Sequence, residues 1–166
     1  MTSEKARCPV LVLGMGNILL EDEGLGIRAL EILRRDFEMP GGVELLDGGT
    51  TGMGLLDDIS GRDHLLVLDA VQTGEPPGTL VVMRGDEVPV YFGIRVTPHQ
   101  LGLADVLATL ELSDEQPGSV SVLGMVPFSL EMALELSGPV KSRMGELVNL
   151  AVQELSDLGY APRRKA

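Results

Sequence analysis

The chain is 166 residues long, with 44% hydrophobic residues, 23% charged residues and a formal net charge of −12. That length suits one domain, burying roughly two-thirds of its unfolded surface without a disulfide or structural metal, and the balance excludes a disordered chain. The acidic excess argues against non-specific binding to nucleic acid or to an anionic membrane, both of which need a positive face.

In chain order, Val10–Leu13 is a continuous apolar run, the pattern of a parallel strand covered on both faces. It follows Lys5 and Arg7 but leads into Gly16-Asn17 and three acids, with no small-residue cleavage site, so it reads as a buried strand and not a signal peptide. No stretch approaches the ~18–20 apolar residues that span a bilayer, and one cysteine fits a reducing compartment; the protein is expected in the cytoplasm. Residues 23–38 read as a helix with Ile27, Leu30, Leu33 and Phe37 on one side and a Glu31–Arg35 pair on the other. Met39-Pro40-Gly41-Gly42 stops it.

Val43–Leu46 is the second strand, ending at Asp47-Gly48-Gly49. A short helix is expected over Gly54–Ile59, and His64–Val71 is the third strand. Residues 72–78 are too few to hold a parallel crossover, which needs about a dozen. Thr79–Met83 is therefore expected to be antiparallel, reached through a hairpin. Thr97 and Pro98 suit the N-cap and first turn of a helix whose apolar side is expected to hold Leu101, Ala104, Leu107 and Ala108. Val120–Val126 is the last strand. A helical turn is expected at Leu130–Leu134, and a final helix over Pro139–Leu158 with Val140, Met144, Leu147, Ala151 and Leu155 on one stripe. Arg163-Arg164-Lys165 reads as a frayed tail. The order βαβαββαβαα is α/β: three αβα layers around a mostly parallel, twisted, five-stranded sheet with one antiparallel strand. No linker or repeat divides residues 1–166, which read as one domain.

Several motifs fail. Gly14-Met15-Gly16 lacks the third glycine of a dinucleotide fingerprint, because Leu19 stands there. Leu55 occupies the place of a phosphate-binding lysine after the Gly48–Gly54 loop. There is no G-x-S-x-G elbow, no H-E-x-x-H and no cysteine zinc site. Too few aromatics (three Phe, two Tyr, no Trp) remain for a base-stacking platform.

Open α/β sheets bind ligands outside the carboxyl ends of their parallel strands. The residues placed there are Glu21-Asp22-Glu23 after strand one, Asp47 after strand two, Asp69 after strand three, and His99 at a helix start. Each has a plainer role. Acids at a helix start complement its dipole for about 0.3–1 kcal/mol; Asp47 before Gly-Gly suits a turn; a lone His99 suits a local hydrogen bond. Asp69 closes an apolar strand, where burial disfavours its charge unless a cation or donors are present. His64, at the opposite end of that strand, reads as surface or structural. Together, Glu, Asp and His offer oxygen and imidazole ligands suited to zinc, nickel or iron, with coordination positions left open.

On these residues the chain resembles the [NiFe]-hydrogenase maturation endopeptidases, and specifically the branch serving uptake hydrogenases. The family pattern G-N-x-L-x-x-D-E-G-x-G stands as Gly16–Gly26, the L-D-G-G-T loop as Leu46–Thr50, and the Asp-Ala after strand three as Asp69-Ala70. Pro98–Gly102 and Val126-Pro127 with Ser129-Leu130-Glu131 also match. The resemblance implies that Glu23, Asp69 and His99 contact a metal, and that Asp47 belongs to the loop considered for a direct part in cleavage. It implies a peptidase with no resident organic cofactor, acting on nickel that arrives bound in the large-subunit precursor. Cleavage would follow a His or Arg shortly beyond the last nickel-binding Cys-x-x-Cys and release a C-terminal extension. Nickel polarising the scissile carbonyl or activating water, and Asp47 or Glu23 as general base, all stay open. A monomer binding its substrate transiently is expected. The competing reading is a nickel-sensing chaperone that holds the precursor without cutting it. Phe128, where relatives often have an acid, and Met132–Leu134, where they are richer in Gly and Pro, depart from the pattern and bear on substrate fit.

Overall fold

The computed structural model describes residues 7–49, 53–88 and 98–166, apart from the side chains of residues 53 and 98–101. Strand β1 (Val10–Met15) leads through a 3-10 turn (Glu21–Gly24) into helix α1 (Leu25–Asp36), which ends in a two-residue strand, β2 (Phe37–Glu38). Strand β3 (Val43–Gly49), helix α2 (Leu56–Ile59) and strand β4 (His64–Ala70) follow. Next come β5 (Leu80–Arg84), α3 (Pro98–Leu112), β6 (Ser119–Met125), α4 (Gly138–Lys141), α5 (Met144–Asp157) and β7 (Arg163–Arg164).

Five strands form one sheet in the order β3-β1-β4-β6-β5, all parallel except β5, which runs antiparallel to β6. This is the expected αβα architecture. The antiparallel strand is confirmed and the hairpin is not. Residues 71–79 cross the end of β6, where Val71 N–H donates to Met125 O at 3.0 Å and Gly78 N–H to Val126 O at 2.8 Å. β4 already has parallel partners on both sides, β1 and β6, so β5 can pair only at the sheet's outer edge.

The sheet buries both faces. One core joins Val10, Val12, Leu66 and Leu68 to Leu30 and Leu33 of α1 and to Leu147, Ala151 and Leu155 of α5. The other joins Leu11, Leu13, Leu65 and Val67 to Ile59 of α2 and to Leu103, Val106 and Leu110 of α3. Alternate strand residues thus face opposite cores, which is why the strands read as unbroken apolar runs. The stripes expected on α1 and on the last helix are buried as read. The stripe on α3 is displaced: Leu103, Val106 and Leu110 are buried and Ala108 is exposed. That helix is apolar on nearly every side, so periodicity does not select a face.

Five further expectations change. The long first helix begins as a 3-10 turn and ends two residues early, in β2. The last helix divides at Ser142-Arg143 into α4 and α5. Residues Leu130–Leu134 are not helical: Ala133 N–H donates to Leu19 O at 3.0 Å and Ala133 O accepts from Glu21 N–H at 2.9 Å, forming a parallel bridge that takes the backbone groups a helical turn would use. The basic C-terminus is ordered, with β7 antiparallel to β2 and the Arg164 guanidinium 5.4 Å from the Phe37 ring centroid. On α1, Arg28 pairs with Glu31 at 3.2 Å and Arg35 with its neighbour Asp36 at 2.7 Å, in place of a Glu31–Arg35 pair. The expected N-cap, Thr97, lies outside the described residues.

Candidate active site

The chain leaves β1 toward β3 on one side and leaves β4 toward β6 and β5 on the other. The carboxyl ends of β1 and β4 therefore border the crevice where doubly wound sheets bind ligands. Three of the sequence-predicted residues belong to that rim. Gly14 of β1 pairs with Asp47 on one side and Leu68 on the other, so Asp47 and Asp69 flank the end of β1. The turn carrying Glu23 packs against β4.

Glycines make that close approach feasible. Gly16 has φ +127°, and a Cβ there would lie 1.8 Å from Glu23 O. Gly26, in the first turn of α1, rests on the sheet end; a Cβ there would lie 2.1 Å from Leu68 O and 2.6 Å from Met15 O. Between them, Asn17 shapes the loop. Its Oδ1 accepts from Leu19 N–H at 2.9 Å and its carbonyl from Leu20 N–H at 3.1 Å. Glu21 sits at φ +48°, a left-handed conformation uncommon for a residue with a side chain.

The predicted residues differ in environment. Asp69 is fully buried, and its Oδ1 accepts from Ala70 N–H at 2.8 Å. Glu23 is half-buried. Asp47 is exposed; its Oδ1 accepts from Gly49 N–H at 2.8 Å, so the turn role read for it is real. Asp47 also borders a cleft with Gly16, Asn17, Ile27 and Gly49. His99 lies in the first turn of α3, and its side chain falls outside the described residues. Among the described residues, no three His, Cys, Asp or Glu side chains form a ligand cluster, as follows when the imidazole of the expected set is not among them. Two carboxylates, one buried and one half-buried, are hard oxygen donors that accept a borderline cation alongside imidazole.

Asp22, next to Glu23, has a role that its place among three acids concealed. It is fully buried. Its Oδ2 accepts from Phe128 N–H (2.8 Å), Ser129 N–H (3.0 Å) and the Ser137 hydroxyl (2.6 Å), and its Oδ1 from Ser137 N–H (2.9 Å). It pins the 128–137 segment to the rim and is not a dipole complement. The sequence cue was the run of polar and turn residues around Ser129 and Ser137, which carried no pointer to Asp22.

His64 occupies the other end of β4. It is buried, with Nδ1 2.6 Å from the Ser119 hydroxyl and Nε2 2.8 Å from that of Ser121. Burial lowers its pKa, Glu154 opposes that shift and Arg84 adds to it. Its role is structural.

The comparisons agree with this architecture. The family model described as "Hydrogenase maturation protease" matches residues 27–154. The Escherichia coli hydrogenase 2 maturation protease is 42% identical over 151 residues, covering 90% of this chain and 92% of that one. The HupD hydrogenase expression/formation protein of Thiocapsa roseopersicina is 39% identical over 158 residues, covering 94% and 72%. Among solved structures, the E. coli hydrogenase maturating endopeptidase HybD superposes with a TM-score of 0.90 at 41% identity, covering 94% and 97%. The Thermococcus kodakarensis [NiFe] hydrogenase maturation protease HybD does so at 0.72 and 26%, covering 87% and 97%. An endopeptidase scaffold with a carboxylate-bearing rim is therefore what this sequence builds. The chain belongs to the hydrogenase maturation protease family.

Proposed function

We propose that this endopeptidase removes the C-terminal extension of a [NiFe]-hydrogenase large-subunit precursor of the uptake branch, acting in the cytoplasm as a monomer. Nickel belongs to the substrate. Glu23, Asp69 and His99 complete the coordination of nickel already held by precursor cysteines, so an unloaded precursor lacks one of the contacts that binding requires. The observation that carries the reading is the placement of Asp47, Asp69 and the Glu23 turn around the end of β1, in a chain 42% identical to the E. coli hydrogenase 2 maturation protease.

The chain's own groups divide the work. Asp69, anchored through Ala70 N–H, is a fixed ligand, while half-buried Glu23 comes from the turn packed against β4. Asp47 takes a proton from an attacking water in this reading, supported by its exposure at the cleft, and Glu23 is the other candidate base. Bound nickel would supply Lewis acidity. Membership of a family of endopeptidases favours cutting over a holding chaperone.

The test uses purified protein with nickel-loaded and nickel-free precursor, read by intact mass. Wild type is expected to remove the C-terminal peptide from the loaded form only. Asp69→Asn, Glu23→Gln and His99→Ala are each expected to reduce trimming at least a hundredfold while thermal unfolding stays cooperative. Trimming at the wild-type rate by any of the three removes that residue from the readout.

A further inference from the structure

We propose that Leu19, Phe128, Met132 and Leu134 form the surface that grips the precursor, taking an apolar segment of it bordered by Lys or Arg; this rests on the reading of the neighbouring site as a precursor-cleaving one. These side chains are 55%, 63%, 88% and 61% exposed, large apolar groups held in water when the rest of the core is closed. Scattered exposed leucines need no explanation, but a group of them marks a contact site.

Here the group is assembled by the backbone. Ala133, between Met132 and Leu134, donates to Leu19 O, and Leu20 and Ala133 form a parallel bridge. Asp22 N–H donates to Ser129 O at 3.2 Å, while its carboxylate holds Phe128 N–H and Ser129 N–H. Arg28 donates to Leu134 O at 2.9 Å. The surface is therefore braced before anything binds, which lowers the ordering cost of association. It is continuous with the site, because Leu19 also borders the cleft shared with Asp47 and Gly16. The surroundings choose the partner's chemistry. Exposed Glu131 and Glu135 bracket Met132 and Leu134 on a protein of net charge −12, while Arg28, Arg35 and Lys141 border Leu134 on the side of α1 and α4. The apolar centre, with these two glutamates beside it and an acidic excess over the whole chain, fits an apolar segment with basic flanks.

The experiment measures Kd and single-turnover trimming with a nickel-loaded large-subunit precursor, wild type and variants side by side. Binding is read on the Asp47→Asn background, which keeps all three proposed nickel contacts, in mixtures that intact mass shows to hold uncut precursor. Phe128→Ser/Met132→Ser is expected to raise Kd at least tenfold, with the trimming rate at saturating enzyme within twofold of wild type. Leu112→Ser, which alters an equally bare leucine (92% exposed) at the end of α3, is expected to leave both unchanged. A smaller rise in Kd for the double variant, or an equal rise for Leu112→Ser, overturns the surface. Glu131→Lys/Glu135→Lys is expected to weaken binding at least threefold at 50 mM salt and not at 500 mM; no change at low salt overturns the basic-flank assignment. Wild type that binds the loaded precursor without cutting it would defeat the proposed function and leave the surface standing.

Discussion

At the residue scale, two buried polar side chains carry more than their surroundings suggest. Asp22 accepts four hydrogen bonds in a dry site. Asp22→Ala leaves two backbone N–H groups of the 128–137 segment and both donors of Ser137 competing for solvent. The expected loss is about 3 kcal/mol or more, given roughly 1.5–3 for each bond to a charged acceptor and strong coupling among them. Urea unfolding measures it, and limited proteolysis is expected to cut first within residues 128–137; a change below about 1 kcal/mol would refute the anchoring role. His64 sets a pH dependence. Its unfolded imidazole takes up a proton below about pH 6.5, whereas burial among Ser119 and Ser121 lowers the folded pKa. The unfolded state then binds more protons, so stability is full above about pH 6.5 and falls as pH drops below it. Two charged groups face it, Glu154 favouring protonation and Arg84 opposing it. Arg84 and Glu154 pair with each other, and hydrogen bonding to Arg84 holds Glu154 below its ordinary range against the opposite push of its burial. In His64→Gln the urea midpoint is expected to decline less steeply than in wild type between pH 7 and 5.5; parallel curves would exclude His64.

At the element scale, legibility tracked whether the governing interactions were local. Helix α1 and the last helix pack the faces their spacing announces. The strands were found as apolar runs, and the short 72–78 connection announced an antiparallel strand. What stayed hidden depends on distant partners: the 130–134 segment is held extended by the Leu19–Glu21 backbone, and the tail by α1. Lys165 Nζ donates to Arg34 O at 2.9 Å and its N–H to Asp36 O at 2.8 Å, while Arg163 pairs with Glu38 at 3.4 Å. The tail thus satisfies carbonyls at the end of α1 and places positive charge against the negative end of its dipole. Deleting residues 163–166 is expected to cost about 1–2 kcal/mol, seen as a lower Tm with amide exchange faster in the last turn of α1 than elsewhere. Unaltered exchange there would mean that the tail contributes nothing. Gly26→Ala is expected to be worse, because its neighbours are main-chain carbonyls that cannot swing aside.

At the scale of the whole molecule, the sheet order turns sequence-distant residues into neighbours. Asp47, Asp69 and the Glu23 turn meet because β3, β1 and β4 lie side by side and parallel. The rule that ligands collect at the carboxyl ends of such strands selected them from the sequence alone. Burial separated them afterwards: Asp69 fully covered, Glu23 half covered and Asp47 in water are differences that composition could not show. The exposed surface escaped for the opposite reason. Phe128, Met132 and Leu134 were noticed as departures from a pattern, yet apolar residues in a loop look alike whether they turn inward or outward.

The fold-back of the tail has a practical side. Helix α1 spans about 18 Å over its 12 residues, and its first turn meets the strand-end rim while its last turn holds Lys165. A linker, dye or bead attached after Ala166 therefore departs from the end of the molecule remote from the cleft, and a protein immobilised that way presents the carboxyl ends of its strands to whatever flows past.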